Sequence, residues 1–272
     1  DGPPVITPED SDGTVTGAHN SVVEGTGDIV TGSVTVSAEA GIRGVTVGGQ
    51  DVTGANNTPV VITTDKGILT ITGYDAATGK ITYSYQETGG ADDHSDGDNA
   101  VRDLFQVAVT DVAGKTTTGD LVIQIIDTEP KAEDDVASVT EDATAPITGN
   151  VLANDTLGAD ASTTVINTAD AKYGTLIDNG DGTWSYQLNN GLEAVQALND
   201  GDTLTETIRY TITDADGDIA EAVITITING QTDGPPVITP EDSDGTVTGA
   251  HNSVIEGTGD IVTGSVTVSA EA

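Results

Sequence analysis

Carboxylates gathered in short loop runs are the residues of this chain best placed to do chemistry. Three runs stand out: "DDHSDGD" with Asp92, Asp93, Asp96 and Asp98, "DTEPKAEDD" with Asp127, Glu129, Glu133, Asp134 and Asp135, and "DADGD" with Asp214, Asp216 and Asp218. Packing that many negative charges together costs on the order of several kcal/mol unless a cation sits among them. Hard oxygen donors, no sulfur and flexible loops select calcium, which takes six to eight oxygens.

The pattern is not an EF-hand. Gly217 is fourth in its loop rather than sixth, and Thr225 stands where the bidentate Glu belongs. A D-x-D-G-D run also makes a good tight turn, and "DNGDG" with Asp178 and Asp181 reads simply as a hairpin turn. Catalytic chemistry finds little support. His19 and His251 are one repeat position, His94 lies in an acidic loop, and no G-x-S-x-G or H-E-x-x-H occurs. All three histidines are expected to be exposed in polar loops. Among 45 acids some pair falls at glycosidase spacing by chance, so such a pair carries no information. Trp184 and Tyr186 share a strand face; burial in a core is the expected role, a sugar-stacking platform the alternative.

The charge balance narrows the partners. The 272 residues carry 45 acidic side chains against 8 basic ones, formally −37. Nucleic acid and anionic lipid are bound through Lys and Arg that neutralise phosphate, so neither is a partner. There is no cysteine, hence no disulfide framework or thiolate metal site. An acidic, cysteine-free chain points to an extracellular protein stabilised by something other than disulfides. No apolar run approaches the eighteen or so residues of a membrane span, and no membrane insertion is expected.

Strands must position the acidic loops. In "TIRYTITDADGDIAEAVITITING", Ile208, Tyr210 and Ile212 alternate with Thr and Arg, and Ala222, Ile224, Ile226 and Ile228 alternate after the turn. This period of two, with β-branched residues around a Gly-Asp turn, predicts an antiparallel hairpin with one buried face. "LFQVAVTDVAGKTTTGDLVIQIID" repeats the design, with Phe105, Val107 and Val109 in one inward row and Leu121, Ile123 and Ile125 in the other. "KITYSYQ" and "GTWSYQ" match as well, which places Tyr83 and Tyr85 where Trp184 and Tyr186 stand. "GLEAVQALND" is the one helical stretch, read as a crossover between sheets. The expected fold is all-β, a tandem of immunoglobulin-like β-sandwiches forming an elongated rod.

A long duplication sets the domain bounds. Asp1–Ala40 and Asp233–Ala272 are identical except that Val23 becomes Ile255, an offset of 233 − 1 = 232 residues. The expected domains are 1–128, 129–232, and 233–272 as the start of the next copy of the first. Proline-bearing linkers after each final strand mark the joints. Hairpin geometry puts the "DADGD" tip at the pole facing the first joint and brings "DDHSDGD" to it from the other side. Expected calcium ligands are therefore Asp96, Asp98, Asp127, Glu129, Asp134, Asp135, Asp214, Asp216 and Asp218, with Asp233 at the next joint. That second joint, with Asp200, Asp202, Glu241, Asp242 and Asp244, faces a turn in which Lys115 replaces an acid, and is expected to hold calcium less well.

"YGTLIDNGDGTWSYQLNNGLEAVQALNDGDTLTETIRYTITDADGDIAEAVITITING" closely resembles a VCBS repeat, through G-T-L, the D-G-T-W-x-Y strand, A-V-Q-A-L and T-D-A-D-G-D. "AEDDVASVTEDATAPITGNVLANDTLGAD" is similar to the cadherin-like lead-in of those repeats. The module from "DGPPVITPED" to "VTDVAGKTTTGDLVIQIID" resembles the immunoglobulin-like target repeats of type I secretion. The resemblance implies the extender of a giant RTX-type adhesin on a bacterial cell surface, secreted through a type I channel and acting in attachment and biofilm formation. Its partners would be neighbouring repeats, with surface polysaccharide or other cells bound elsewhere, and no catalysis of its own. Alternatives are a calcium-dependent polysaccharide- or cell-binding module, a domain appended to a secreted hydrolase, or a filament subunit assembled by strand addition.

Overall fold

Period-two runs become strands along the whole chain. The structure, a computed structural model, describes residues 1–11, 16–97, 101–243 and 250–269. It is all-β, with 48% strand against 4% helix.

The chain packs as two compact units. One takes Asp1–Glu133 together with Leu152–Val165 and Thr211–Glu221; the other takes Asp134–Val151, Ile166–Tyr210 and Ala222–Ala272.

The first sandwich is built from ten strands. They are β1 (Val5–Pro8), β2 (Asn20–Val23), β3 (Ile29–Ser37), β4 (Ile42–Val47), β5 (Gln50–Asp51), β6 (Val60–Thr63), β7 (Gly67–Asp75), β8 (Lys80–Glu87), β9 (Arg102–Asp111) and β10 (Thr116–Ile126). One sheet runs β1-β3-β8-β7-β6, the other β2-β10-β9-β4-β5. Phe105, Val107 and Val109 on β9 and Leu121, Ile123 and Ile125 on β10 meet Val34, Val36, Tyr83 and Tyr85 of the facing sheet in one core. Each fully buried Ile or Leu contributes about 2 kcal/mol. β2 pairs parallel to the last strand, β10, with Val23 opposite Ile126.

The same plan recurs downstream in β11 (Asp135–Thr140), β12 (Ile147–Asn150), β13 (Thr163–Ile166), β14 (Gly174–Asp178), β15 (Thr183–Leu188), β16 (Thr203–Thr213) and β17 (Ile219–Asn229). The sheet orders are β11-β17-β16-β13 and β12-β15-β14. β11 again pairs parallel to the last strand, with Thr140 opposite Asn229. The short helix α1 (Glu193–Gln196) buries Val195 and links β15 of one sheet to β16 of the other, the expected crossover. The last hairpin, β18 (Val237–Pro240) with β19 (Val266–Ser269), pairs Val237 with Ser269 in the register that joins Val5 to Ser37.

Trp184 and Tyr186 are buried, at 3% and 0% exposure. That removes the sugar-stacking alternative, because neither ring face reaches solvent. Each copy lays two aromatic rings against glycines. A Cβ on Gly67 would collide with the Tyr85 ring, and one on Gly174 with the Tyr186 ring. Both phenols then reach a buried carboxylate: Tyr85 donates to Asp103 at 2.8 Å and Tyr186 to Glu206 at 3.1 Å. Glu206 also accepts the Lys172 and Tyr173 backbone N–H groups. Gly174→Ala is expected to cost about 1–2 kcal/mol through that ring clash, read as a lower midpoint in urea melts with unchanged slope. An unchanged midpoint would mean that the ring does not bear on the glycine.

Candidate metal centre

Three chain segments of the first unit converge on one acidic point. The first is the exit of β10, where Asp127 follows the final Ile126. The second is the loop Leu152–Val165, which carries Asp160. It is fastened to the segment around Asp127 by Ala159 N–H donating to Thr128 Oγ1 at 2.8 Å and by the reciprocal Lys131–Thr156 backbone pair at 2.7 and 2.9 Å. Glu133 N–H adds a bond to Asp155 Oδ1 at 2.7 Å.

The third segment is the β16–β17 turn. Asp214 Oδ1 accepts the backbone N–H groups of Asp216, Gly217 and Asp218 at 3.1, 2.9 and 2.8 Å. Gly217, at φ +97°, supplies the left-handed residue that this tight turn requires. The D-x-D-G-D run is thus a tight turn closed by its own first aspartate. One Asp214 oxygen closes the loop, while Oδ2 is buried and met by no hydrogen-bond donor, in a residue 7% exposed.

One carboxylate oxygen from each of Asp127, Asp160 and Asp214 lies within 4.8 Å of the others. Asp160 Oδ2 and Asp216 Oδ2 are likewise buried without a donor. The crowding shows in their acidity. Burial, then the Asp218 and Glu24 carboxylates, push Asp127 up to about 7 against an opposing pull from His94. Burial, then Asp216, push Asp160 up to about 6. Unsatisfied buried carboxylate oxygens need a positive partner, and an all-oxygen donor set suits a hard cation. The residues present therefore fit calcium. A cleft of about 410 Å³, lined by His94, Asp127, Glu129, Asp216 and Asp218, gives access to the point.

Of the expected ligands, the structure brings together Asp127, Asp214, Asp216 and Asp218, with the exposed Glu129 on the cleft wall. Asp96 is exposed on its turn, and Asp98 lies outside the described residues, as does Asp244. Asp134 and Asp135 belong to the second unit; Asp134 Oδ1 accepts the Val223 N–H at 3.0 Å, and Asp135 opens β11. Asp233 is half-buried between β17 and β18. Asp200 and Asp202 spend one oxygen each on the backbone N–H groups of Thr232 and Asn199.

Sequence reasoning missed Asp160, Glu24 and His94. Two histidines correct an expectation: His94 is 5% exposed, because its loop folds in over Glu24, and His19 is half-buried with Nδ1 accepting the Val122 N–H at 3.0 Å. Glu24 directly follows β2, its N–H donating to Ile126 O, as Glu141 directly follows β11 and donates to Asn229 O. An acid directly after the strand that pairs parallel to the last one, in both sandwiches, was the available signal.

Residues 127–230 match the family model of the bacterial cadherin-like domain. This cadherin-like stretch includes Asp127, Asp160 and Asp214. No curated protein matches the chain. Among solved structures, protocadherin gamma B7 extracellular cadherin domains 1–4 are similar at 15% identity, over 81% of this chain and 51% of that one, with TM-score 0.35. The titin domains Z1Z2, solved in complex with telethonin, are similar at 12% identity over 85% and 98%, with TM-score 0.38. Mouse protocadherin PcdhgC3 EC1–3 is similar at 13% identity over 82% and 68%, with TM-score 0.32. The chain spans about half the length of the gamma B7 chain. At these identities the likeness concerns the fold alone.

Proposed function

We propose that the chain is a calcium-stiffened structural spacer from the repetitive extender of a bacterial cell-surface adhesin, of the VCBS and RTX type. It has no catalytic role. The observation that carries this reading is the convergence of Asp127, Asp160 and Asp214 from three separate segments, with buried Asp160 and Asp214 oxygens that no donor meets. Bound calcium would supply the positive charge that offsets their repulsion. Asp127, Asp160, Asp214 and Asp216 would hold it, tying the β10 exit, the Leu152–Val165 loop and the β16–β17 turn into one body. The cadherin-like match over residues 127–230 and the recurrence of the β1–β3 register in β18–β19 support a serial, adhesion-type architecture. Secretion to the cell surface in calcium-rich medium, and projection of a binding tip carried elsewhere, follow from the VCBS resemblance.

Small-angle scattering of the 272-residue chain with calcium and then with chelator tests the reading. The expected result is a fixed maximum dimension in millimolar calcium that is lost on chelation. Identical profiles in the two conditions would remove the ion from the mechanism.

A further inference from the structure

Beside the all-oxygen point lies a second constellation of different chemistry. Glu24, His94 and Asp127 each offer one ligand atom within 4.8 Å of the other two. Glu24 is fully buried and His94 is 5% exposed. All three belong to the first compact unit. We propose that Glu24, His94 and Asp127 form a separate subsite for a borderline divalent metal of the zinc class, sharing Asp127 as a bridge with the calcium point.

Three features argue for it. The first is donor type. Calcium is held by oxygens, whereas imidazole nitrogen with carboxylate oxygen suits zinc and its neighbours in the first transition row. A buried histidine set between two acids changes the selectivity of an otherwise hard site.

The second is spacing. His94 Nε2 stands 3.6 Å from Glu24 Oε2, too long for a direct hydrogen bond. It matches the edge of a tetrahedron whose metal–ligand bonds are about 2.0–2.2 Å, roughly 3.3–3.6 Å.

The third is support behind the ligands. Glu24 Oε1 accepts the Thr128 N–H and hydroxyl at 3.3 and 3.1 Å, and Oε2 accepts the Asp92 N–H at 2.9 Å. Asp92 is itself fixed by Lys66 at 2.7 Å. Neutral donors thus orient the carboxylate without discharging it, the outer-shell arrangement that tunes metal ligands. The cleft lined by His94, Asp127 and Glu129 is the path of entry.

The inference shares a ligand with the calcium reading, so the experiment reads the two ions apart. The full chain is saturated with calcium and titrated with zinc by calorimetry. In parallel, ring NMR signals of the three histidines are followed on adding zinc. The expected result is one zinc equivalent bound, with the His94 ring shifted while exposed His251 is unmoved, and affinity about tenfold or more weaker in His94→Asn. Cobalt in place of zinc is expected to give visible absorption in the wild type that the variant lacks. A calcium melt on the same variant reports whether the unit still folds, and Glu24→Gln gives an independent loss of ligand. No zinc uptake, or uptake that leaves the His94 ring unmoved, overturns the proposal and leaves His94 as a buried neighbour of the acids. Absence of any calcium-induced stabilisation, with zinc still bound at His94, would instead overturn the calcium reading alone.

Discussion

Asp214→Asn is expected to abolish most of the calcium-induced stabilisation while leaving the metal-free protein as stable as the wild type or more so. The asymmetry follows from the two oxygens of Asp214. Oδ1 closes the turn through three backbone N–H groups, and an amide oxygen can accept the same three bonds. Oδ2 faces the other carboxylates with no donor. Replacing it by an amide NH2 removes a ligand and a buried charge together, and offers a donor to Asp127 and Asp160. At free calcium a hundredfold above the dissociation constant, the wild type gains about 2.7 kcal/mol per site. For a protein of this size that is a rise in melting temperature of roughly 5–10 °C. Paired melts in calcium and in chelator make the test, with less than a third of the rise expected in the variant. Equal destabilisation of Asp214→Asn in both media would show that this residue serves the turn and nothing else.

The fold was largely legible because a strand writes its buried face at every second residue. Phe105, Val107 and Val109, and Ile208, Tyr210 and Ile212, went inside as the alternation required. The pairing of Tyr83 and Tyr85 with Trp184 and Tyr186 was legible too, and the glycines lying against the same rings show why the short motif repeats. The centre was legible only in its local half. Asp127, Asp214, Asp216 and Asp218 lie in loops whose position follows from the last hairpin, so strand order locates them. Glu24 arrives through tertiary contacts across a separation of 104 residues, such as Thr128 donating to it, and Asp160 on a loop tied back to Thr128 across 31. His94 misled for a physical reason: a polar loop predicts exposure, but a buried acid beneath it offers the ring a reason to fold in.

Without metal, stability is expected to fall as pH rises from about 5 to about 8, and with calcium to rise over the same span. The sign follows from Asp127 and Asp160. Both carboxyls are raised above their ordinary value near 3.8, to about 7 and about 6. An acid whose folded value is raised holds its proton more tightly when folded, so its contribution is complete below about 4 and disappears as pH passes the folded value. Discounted for solvent screening at these half-exposed groups, the fall is on the order of 1–3 kcal/mol. Asp170, held down to about 2 by Arg209, acts only in stronger acid. His19, lowered by burial, works in the opposite direction in the lower part of the window. Calcium is expected to reverse the slope, because it would bind the deprotonated carboxylates and displace their protons. Melting temperatures at pH 5, 6, 7 and 8, in chelator and in calcium, check the inversion. Asp127→Asn and Asp160→Asn, which hold no titratable proton, are expected to flatten the chelator curve while leaving the His19 part of it. Parallel curves in the two media would mean that these carboxyls do not answer to a metal, and a chelator curve that rises with pH would remove the crowding from which the centre is inferred.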